Sequence, residues 1–572
     1  MSDNATTEQA RKLKLVLCWH MHQPEYRDPQ SGHYQQPWTY LHAIKDYVDM
    51  AAHLETHPGA RAVVNFVPVL LEQLDDYAGR IRAWRAAGGD LGDVLLRALA
   101  DPACLAPAER EWVVRACLRA NEERLIRRFA PFNELAAVAR RFLARPSDVV
   151  YLSDQFVSDI LMWYHLAWMG ETVRRSHAQV TGWERKGREF SREDRHAMLV
   201  LVGELIEGLF SRYRALADAG RVELSMTPYA HPIMPLLLDL SSMAEAMPDA
   251  PRPAHARYPG GEARVRWHLS EGQRVFRAYF GREARGCWPS EGSLSDATIR
   301  CLSEAGFDWC ASGGGVLHNS LRAGSLAERY TPCPHRPYQL EGTRTACFFR
   351  DDGLSDLIGF EYKTWHADDA ISNLIGHLEE IAQRCNGGEH VVSIVLDGEN
   401  AWEYYPFNGF YLLDALYRRL SEHPSLCLTT FSEVLEGPLG LAPLPHVVAG
   451  SWVFGTFSTW IGEKDKNRGW DMLIEAKRVY DRVMAAGRLG EEASEAAARQ
   501  LAICEGSDWF WWFGDYNPAE AVSDFERLFR LHLTRLYLLL GEKPPETLAH
   551  TFARGAGAPA QGGVMRPGQV AS

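Results

Sequence analysis

The segment 391–411, VVSIVLDGENAWEYYPFNGFY, constrains the fold more than any other part of this chain. Residues 391–395 are apolar or β-branched apart from one serine, a pattern typical of a strand that is buried on both faces and belongs to a parallel sheet. The run ends in the sequence LDGEN, which places Asp397 and Glu399 at the carboxyl end of the strand. Barrels of strands and helices keep their reactive groups at this end. The segment therefore predicts an α/β fold with a functional site here.

Aromatic residues follow these acids at once, at Trp402, Tyr404, Tyr405 and Phe407. Carboxylates beside flat rings suit a sugar, because its C–H faces stack on rings while its hydroxyls bond to acids and amides. The alternative is structural: a strand-to-helix turn in which the Asp and Asn cap the next helix. The residues themselves leave both interpretations open.

A second segment, RGCWPSEGS at 285–293, places Trp288 and Glu291 in a loop bounded by glycine and proline, before a predicted helix over 294–305. Retaining glycoside hydrolysis needs two carboxyl groups about 5 Å apart on opposite sides of one bond. Glu291 and Asp397 are candidates for that pair. They are far apart in the sequence, so only a fold that gathers strand ends at one rim would bring them together. The alternative makes Glu291 a helix N-terminal residue favoured by the macrodipole.

Four short motifs occur in order along the chain: WHMHQP at 19–24, MTPYAHPI at 226–233, CWPSE at 287–291 and LDGEN at 396–400. Their order resembles glycoside hydrolase family 57, the α-glucan-active enzymes, and most closely its amylopullulanase-like branch. The resemblance implies that Glu291 is the nucleophile, that Asp397 is the acid/base, and that His22 binds the sugar at the cleavage subsite.

The resemblance also implies a fold: a distorted or incomplete (β/α)7 barrel with helical insertions, followed by an all-α C-terminal domain. Core strands are predicted near 13–19, 61–67, 222–226, 309–311, 345–349 and 391–396. We expect a disordered segment at 1–13, a catalytic barrel over 14–436 with a helical insertion around 70–220, a helical domain over 437–550 and a disordered tail over 551–572.

Three histidines lie in the first two motifs. His20, His22 and His231 can bond sugar hydroxyls as neutral imidazoles, or act as structural donors. His20 and His22 could also share a cation, but no Cys or His cluster in the sequence completes such a site, so neither a metal nor another cofactor is expected. Glu399 could raise the pKa of Asp397 by like-charge repulsion, or cap a helix.

The remaining candidates for substrate contact are Trp288, Glu399, Trp402, Asp352, Trp460 and Glu463. Asp352 follows a predicted strand and either lines the cleft or binds Arg350. Trp460 and Glu463 lie in a poorly periodic segment after the proposed domain boundary, where we expect the helical region to complete the glucan cleft. The alternative for Trp460 is a hydrophobic domain interface.

The composition limits the kinds of binding partner and the cellular compartment that we expect. The formal net charge of −13, from 61 basic and 74 acidic residues with no long basic run, disfavours nucleic acid and suits a neutral substrate. Eleven cysteines without a Cys-x-x-Cys pair argue against a zinc knuckle and a disulfide framework. The apolar run 15–19 is too short for a signal peptide or a membrane span. A cytoplasmic protein without a membrane partner is expected.

We therefore expect a retaining hydrolase or transglycosylase that acts on an α-glucan or maltooligosaccharide, with α-1,4 and α-1,6 bonds as candidates. A metal-dependent carbohydrate deacetylase or mannosidase on a related barrel is one alternative, and a non-catalytic glucan-binding protein is another. The sequence leaves open the choice between hydrolysis and transfer, the linkage, the chain length and the oligomeric state.

Overall fold

The computed structural model describes residues 12–323, 333–385, 390–557 and 565. Its strands form one sheet. In chain order they are β1 (Leu13–Met21), β2 (Ala62–Phe66), β3 (Val222–Met226), β4 (Gly286–Cys287), β5 (Trp309–Ser312), β6 (Tyr338–Leu340), β7 (Ala346–Phe349), β8 (Val391–Asp397), β9 (Leu426–Thr429) and β10 (Ala442–Leu444).

Seven of these strands run parallel in the spatial order β7-β5-β4-β3-β2-β1-β8. An isolated parallel bridge joins Arg350, directly after β7, to Ser393 in β8. The sheet therefore curls until its two ends meet through that bridge, and the predicted incomplete seven-stranded barrel is confirmed. The short strand β6 pairs antiparallel with β7 and parallel with β10, and β9 pairs with β1.

The two faces of the curled sheet bury different side chains, as the apolar runs of its strands require. One face contributes Val16, Cys18, Val63, Phe348 and Val395 to a small cluster inside the curl. The intervening residues of the same strands pack outward against the helices in the main core. Because both faces are covered, the carboxyl-terminal edge of the sheet is where its polar residues gather.

In the described part of the first half of the chain, two α-helices precede β2 and the other α-helices follow it. They are Trp38–His42, Val48–Thr56, Pro68–Ala87, Val94–Ala100, Pro107–Ala116, Ala130–Leu143, Asp154–Ala167, Glu171–Ser176, Ala178–Lys186, Arg192–Asp218, Met234–Leu238, Met243–Ala246 and Gly261–Phe280. Those from Pro68 to Asp218 make up the predicted helical insertion. Asp154–Ala167 is buried nearly all round, as its sequence predicts.

The second half alternates short helices with the last strands and ends in a helical region. Its helices are Asp296–Glu304, Gly314–Ala323, Asp352–Asp356, Ala367–Arg384, Phe410–Ser421, Phe431–Glu436, Lys464–Ala485, Glu491–Cys504, Ser507–Trp512 and Ala519–Leu539. The strand β10 lies beyond residue 437, so the sheet continues past the boundary expected there. Among the described helices, none is both long enough and apolar enough to cross a membrane.

The tail differs from the prediction of disorder over 551–572. Residues 551–557 pack against the helical region: Phe552 packs edge-on against the rings of Phe513 and Phe529, and its amide donates to the Glu526 carboxylate at 3.0 Å. An aromatic residue within a Gly- and Ala-rich stretch supplies this anchor. Residues 1–11, 558–564 and 566–572 of the segments predicted to be disordered lie outside the described residues.

Candidate active site

A cavity of about 230 Å³ opens at the carboxyl-terminal edge of the curled sheet, and Glu291 and Asp397 both line it. Asp397 is the last residue of β8 and Glu291 follows the two-residue strand β4. The turn after β1 and the C-terminal region also contribute to the wall, the latter with Trp452, Asp508, Trp511 and Trp512, and further residues come from the segments around Trp38, Trp168 and His231. Residues distant in sequence thus share one enclosure.

The loop that carries Glu291 is tightly folded. Glu291 itself has a left-handed backbone, with φ at 59°, a conformation that costs a non-glycine residue free energy and recurs at functional sites. The carbonyl of Glu291 accepts a hydrogen bond from the Trp452 amide at 3.0 Å. The next residue, Gly292, also has a positive φ of 58°, and a Cβ there would lie 2.9 Å from the Trp288 ring. The backbone therefore fixes the direction of the Glu291 side chain.

Two hydrogen bonds hold the Glu291 carboxylate. Trp452 Nε1 donates to Oε2 at 3.0 Å, and Ser507 Oγ donates to Oε1 at 3.3 Å. The side chain is only 8% exposed. Burial and the negative charges of Asp508 and Asp397 raise the pKa of Glu291 to about 8, while the two hydrogen bonds oppose the shift.

Asp397 is oriented by its own loop. Asn400 Nδ2 donates to Asp397 Oδ2 at 2.9 Å, and the amide of Gly398 donates to the carbonyl of His20 at 2.7 Å. A side chain at position 398 would run into Met21, since a Cβ would lie 2.2 Å from its sulfur. Burial raises the pKa of Asp397 to about 6, partly offset by Asn400, His22 and Arg350. Asp397 is thus poised to hold or release a proton near neutral pH.

The three candidate histidines line the cavity as a stack. The rings of His22 and His231 lie 3.9 Å apart, and those of His20 and His231 lie 5.3 Å apart. Each ring has one fixed partner: Asn65 for His20 at 2.7 Å, Asp508 for His22 at 2.8 Å and Ser507 for His231 at 2.7 Å.

Two ring nitrogens of the stack have no hydrogen-bond partner. His22 Nδ1 and His231 Nε2 are buried and make no hydrogen bond. Burial, followed by the neighbouring His22 charge, lowers the pKa of His20 to about 3 and that of His231 well below its usual range, so both rings are neutral near pH 7. Neutral imidazole nitrogens donate to or accept from hydroxyl groups. Neutral imidazole rings that line a cavity suit a polyhydroxylated ligand.

Glu399 also lines the cavity, but its role differs from both expectations. Its carboxyl accepts the His22 amide at 3.1 Å and the Gln23 side-chain amide at 3.4 Å. Burial and Asp397 raise the pKa of Glu399 well above its usual range, so its proton stays bound near neutral pH. The raised pKa of Asp397 is caused by burial instead of by a Glu399 charge.

Asp352 does not line the cavity. It lies beneath Arg350, whose guanidinium donates to it at 2.9 Å and whose Nε donates to the Val395 carbonyl at 2.8 Å. Arg350 is the residue that faces the cavity. Of the two sequence interpretations of Asp352, the structure supports the ion pair with Arg350.

Trp288 and Trp402 are buried beneath the cavity and do not line it. Trp288 packs edge-on against Trp452, with ring centroids 5.2 Å apart, and Trp402 donates to the Gly398 carbonyl at 2.9 Å. They support the loops of Glu291 and Asp397. The structure gives no support to substrate contact by either ring, because aromatic composition does not reveal which rings the core buries.

Trp460 and Glu463 also lie away from the cavity. Trp460 is fully buried beside Trp511, and its carbonyl accepts from Trp470. Glu463 caps the helix Lys464–Ala485 through the amides of Asp465 and Lys466. The C-terminal region does line the cavity, but through Trp452, Asp508, Trp511 and Trp512. Nothing in the sequence around Asp508 indicates that its carboxylate faces His22.

Replacing Trp460 with alanine should therefore destabilise the protein instead of selectively weakening glucan binding. Removing a fully buried Trp costs about 3–5 kcal/mol of unfolding free energy. We expect a large fall in the unfolding midpoint, with losses on long and short glucans that are alike. The matched variant Trp452→Ala, which removes a ring that lines the cavity and bonds Glu291, should reduce activity more than stability. A selective rise in KM on long glucans for Trp460→Ala would contradict this expectation.

Potential metal ligands converge in the same cavity. His22, His231 and Asp508 offer atoms that all lie within 4.8 Å of one another, a combination that the sequence analysis did not identify. In this structure His22 and Asp508 are hydrogen bonded to each other and His231 to Ser507. A second group, His53, His57 and Asp414, lies outside this cavity.

Comparisons with known proteins agree with this geometry. The model of the family described as "Glycosyl hydrolase family 57" matches residues 16–443. Two similar solved structures are a family 57 branching enzyme from Pyrococcus horikoshii and the α-amylase AmyC from Thermotoga maritima. The branching enzyme has 16% sequence identity and a TM-score of 0.56, and the match covers 94% of this chain and 93% of that one. The α-amylase has 15% sequence identity and a TM-score of 0.55, and the match covers 94% of this chain and 96% of that one. These two likenesses concern the fold. Since the family model matches most of the sequence and includes both catalytic candidates, the chain belongs to glycosyl hydrolase family 57.

Proposed function

We propose that this family member is a retaining glycoside hydrolase or transglycosylase that acts on α-glucans. The observation that carries the proposal is that Glu291 and Asp397, from separate strand ends, line one cavity with raised pKa values. The similar solved structures include a branching enzyme and an α-amylase, which supports an α-glucan as the substrate class. The rings of His22 and His231 line the same cavity and are candidates for contact with its hydroxyls.

In the proposed double displacement, Asp397 protonates the glycosidic oxygen while a Glu291 oxygen attacks the anomeric carbon. The bond to the leaving sugar breaks, and a covalent glycosyl-enzyme forms on Glu291. Asp397, now ionised, then takes a proton from water or from a sugar hydroxyl, and that oxygen displaces Glu291. Two inversions at the anomeric carbon give net retention.

The pKa values of the two carboxyls favour a proton on Glu291, whereas this reaction needs it on Asp397. Glu291 has the higher pKa of the two, whereas attack requires Glu291 ionised and Asp397 protonated. The charge of Asp397 contributes to the raised pKa of Glu291, so the two catalytic carboxyls interact and a proton that they share can occupy either one. The hydrogen bonds from Trp452 and Ser507 stabilise ionised Glu291, which is the form that attacks. We propose that the reactive tautomer forms when substrate is bound.

The proposal is tested by assaying the wild-type protein on soluble starch, pullulan and short maltooligosaccharides, with the anomeric form of the first product followed by NMR. Retention gives the α-anomer first, and a β-anomer would contradict the mechanism. Release of reducing sugar indicates hydrolysis, whereas redistribution of chain lengths without it indicates transfer.

A metal-dependent alternative is tested in the same assay, because His22, His231 and Asp508 come close enough to share a cation. Two carboxylates suffice for the double displacement. We therefore expect prolonged chelator treatment to leave activity on the glucan unchanged. Inactivation that zinc or manganese reverses would instead favour the deacetylase or mannosidase class, and the matched variant Asp508→Asn would then abolish the metal response.

We also propose a cytoplasmic location. All eleven cysteines are unpaired, including Cys310 and Cys347, whose sulfurs lie 3.6 Å apart without a bond. Thiols in such proximity persist under reducing conditions. An intracellular glucan or oligosaccharide store would then be the substrate.

A further inference from the structure

A second concave surface lies beside the catalytic cavity and has no role in the mechanism above. This surface, the aromatic groove, is lined by the rings of Trp365, Tyr405, Phe407 and Tyr411 and has a volume of about 410 Å³. Trp365, Phe407 and Tyr411 are 44%, 41% and 48% exposed, and they are three of the six most exposed large apolar side chains in the part of the chain that the structure describes. Such clustering of exposed rings marks a binding surface.

The backbone holds these rings in place. Phe407 and Asn408 have left-handed φ angles of 54° and 53°, and the buried Asn408 side chain donates to the Met169 carbonyl at 3.4 Å. The Arg128 guanidinium lies over the Phe407 ring at 4.6 Å. Consecutive strained residues persist only where their surroundings enforce them, and they cluster at ligand sites. Phe407 is therefore presented by the fold and is not a loosely exposed side chain.

Tyr411 is fixed in a similar way. Arg175 donates to its hydroxyl at 3.0 Å, and its ring stands edge-on to Phe407 with centroids 5.4 Å apart. Trp365 packs edge-on against Tyr362, which also lines the groove. Rigid rings lose little conformational entropy when a ligand binds, which favours stacking.

The polar residues of the groove carry mixed charge. Asp414 lies 3.9 Å from the Arg418 Nε and 3.0 Å from the His57 Nε2, and Asp368 and His366 also line the groove. Such a balance favours a neutral ligand over a polyanion or a polycation. Carboxylate and guanidinium groups between aromatic faces match the alternation of hydroxyl edges and C–H faces on a sugar chain.

Two segments connect the groove to the catalytic cavity. Phe360 and Glu403 line the cavity, whereas Tyr362 and Tyr405, each two residues further along, line the groove. Residues two apart are separated by at most about 7 Å between Cα atoms. The two depressions therefore approach each other across these two segments.

We propose that the aromatic groove binds an α-glucan chain, so that a long substrate is held outside the catalytic cavity while one of its bonds is cleaved within it. This inference rests on the proposed function and extends it to chain length. The enzyme should then favour long glucans over oligosaccharides too short to reach the groove.

The test compares Trp365→Ala and Tyr411→Ala with Leu538→Ala, which removes a side chain of similar exposure, 50%, from the helix Ala519–Leu539 outside the groove. The groove variants should raise KM on amylose by roughly fivefold, the loss expected for one stacked ring, while kcat/KM on the shortest cleaved maltooligosaccharide stays within about twofold. Unfolding midpoints should be unchanged. Leu538→Ala should alter neither substrate.

Binding is measured separately as the retardation of the inactive variant Glu291→Gln in native gels that contain glycogen, with and without Trp365→Ala. Loss of retardation with Trp365→Ala supports the groove. Undiminished retardation and unchanged KM on amylose would overturn it, and would instead assign the rings to another partner such as a protein. Equal losses on long and short substrates would also overturn it, because Trp365 would then belong to the catalytic cavity. If the wild type cleaves no α-glucan, the proposed function fails, whereas active wild type without groove-dependent binding refutes this inference alone.

Discussion

Replacing Glu291 with glutamine is expected to lower kcat on an α-glucan by roughly a thousandfold or more, because an amide cannot form the glycosyl-enzyme. The substitution is nearly isosteric, and glutamine keeps the backbone conformation and an oxygen that can accept from Trp452. It also removes a buried carboxyl whose pKa is raised by Asp508 and Asp397. The unfolding midpoint should therefore not fall. A variant that retains a tenth or more of wild-type kcat would refute the assignment.

Glu399→Gln is the matched control for this substitution. Glu399 lines the same cavity, but its proton stays bound near neutral pH because its pKa is raised well above the usual range. An amide at this position preserves neutrality and an oxygen that can accept from the His22 amide. We expect a loss of activity far smaller than that of Glu291→Gln. Losses of equal size would mean that the cavity responds to any carboxyl change, and the role of Glu291 as nucleophile would lose its support.

Chemical rescue separates the two carboxyls further. In Glu291→Ala, azide can occupy the space of the missing carboxylate and attack an activated α-glucosyl donor directly, which gives the β-glucosyl azide by a single inversion. In Asp397→Ala, the glycosyl-enzyme still forms with such a donor, and azide then attacks from the opposite face to give the α-glucosyl azide. The anomeric form of the azide product, read by NMR, therefore reports which residue is the nucleophile. An exchange of the two products would reverse the assignments.

The long apolar runs of this sequence were sufficient to predict most of the barrel. The predicted strand over 222–226 coincides with β3, and the run over 391–396 lies within β8. The strands that were missed, β4, β6, β9 and β10, have two to four residues. Strands of so few residues are too short to show a hydrophobic periodicity in the sequence. β10 also contains Pro443, a residue that favours the prediction of a linker. The proline is tolerated in this strand because β10 is the outermost strand of the sheet.

The catalytic candidates could be predicted because each lies in a compact motif beside its own strand. The residues that surround them could not be predicted in the same way. Asp508 reaches His22 across the whole chain, and Ser507 reaches Glu291 from the same helix. Packing alone accounts for the sequence pattern of the helix Ser507–Trp512. No feature of the local sequence therefore indicates that its polar side chains belong to the site.

The tryptophan residues show most clearly which features of the site could not be predicted from the sequence. Trp288, Trp402 and Trp460 occur in loop-like segments near motifs, as does Trp452, yet only Trp452 lines the cavity. The distinction depends on how the Glu291 loop meets the C-terminal region, a contact that includes the Trp452 amide and the Glu291 carbonyl. The local sequence around either residue does not indicate that contact. Burial of Trp288 and Trp402 instead stabilises the loops that present the catalytic carboxyls, whereas Trp460 packs beside Trp511.

Asp397→Asn is expected to affect natural and activated substrates differently. On starch, kcat/KM should fall by roughly 10²–10⁴-fold, since departure of a sugar alkoxide requires protonation. On an aryl α-glucoside with a good leaving group, kcat/KM should fall far less, because glycosylation of Glu291 no longer needs the proton. The later step still needs a base to deprotonate water, so kcat on the same aryl substrate should fall and the glycosyl-enzyme should accumulate. A burst of released phenol would report that accumulation.

The pH dependence provides a second, independent signal from the same variant. Glycosylation requires a protonated Asp397, and burial raises its pKa to about 6, so wild-type kcat/KM should decline as pH rises through the pKa of the coupled carboxyls. With asparagine at position 397 and an activated substrate, this alkaline limb should disappear, since no proton is donated. Persistence of the limb would assign it to another group.

Asp352→Asn distinguishes an acid catalyst from a carboxylate that merely supports the rim. Asp352 follows the neighbouring strand β7, lies outside the cavity and pairs with Arg350 at 2.9 Å. Its loss leaves Arg350 with one fewer buried counter-charge, which should lower the unfolding midpoint and reduce activity on starch and on the aryl glucoside alike. If Asp397→Asn gave that same pattern, with equal losses on both substrates and reduced stability, Asp397 would be structural. A leaving-group dependence confined to Asp397→Asn is the behaviour that only the proton donor can produce.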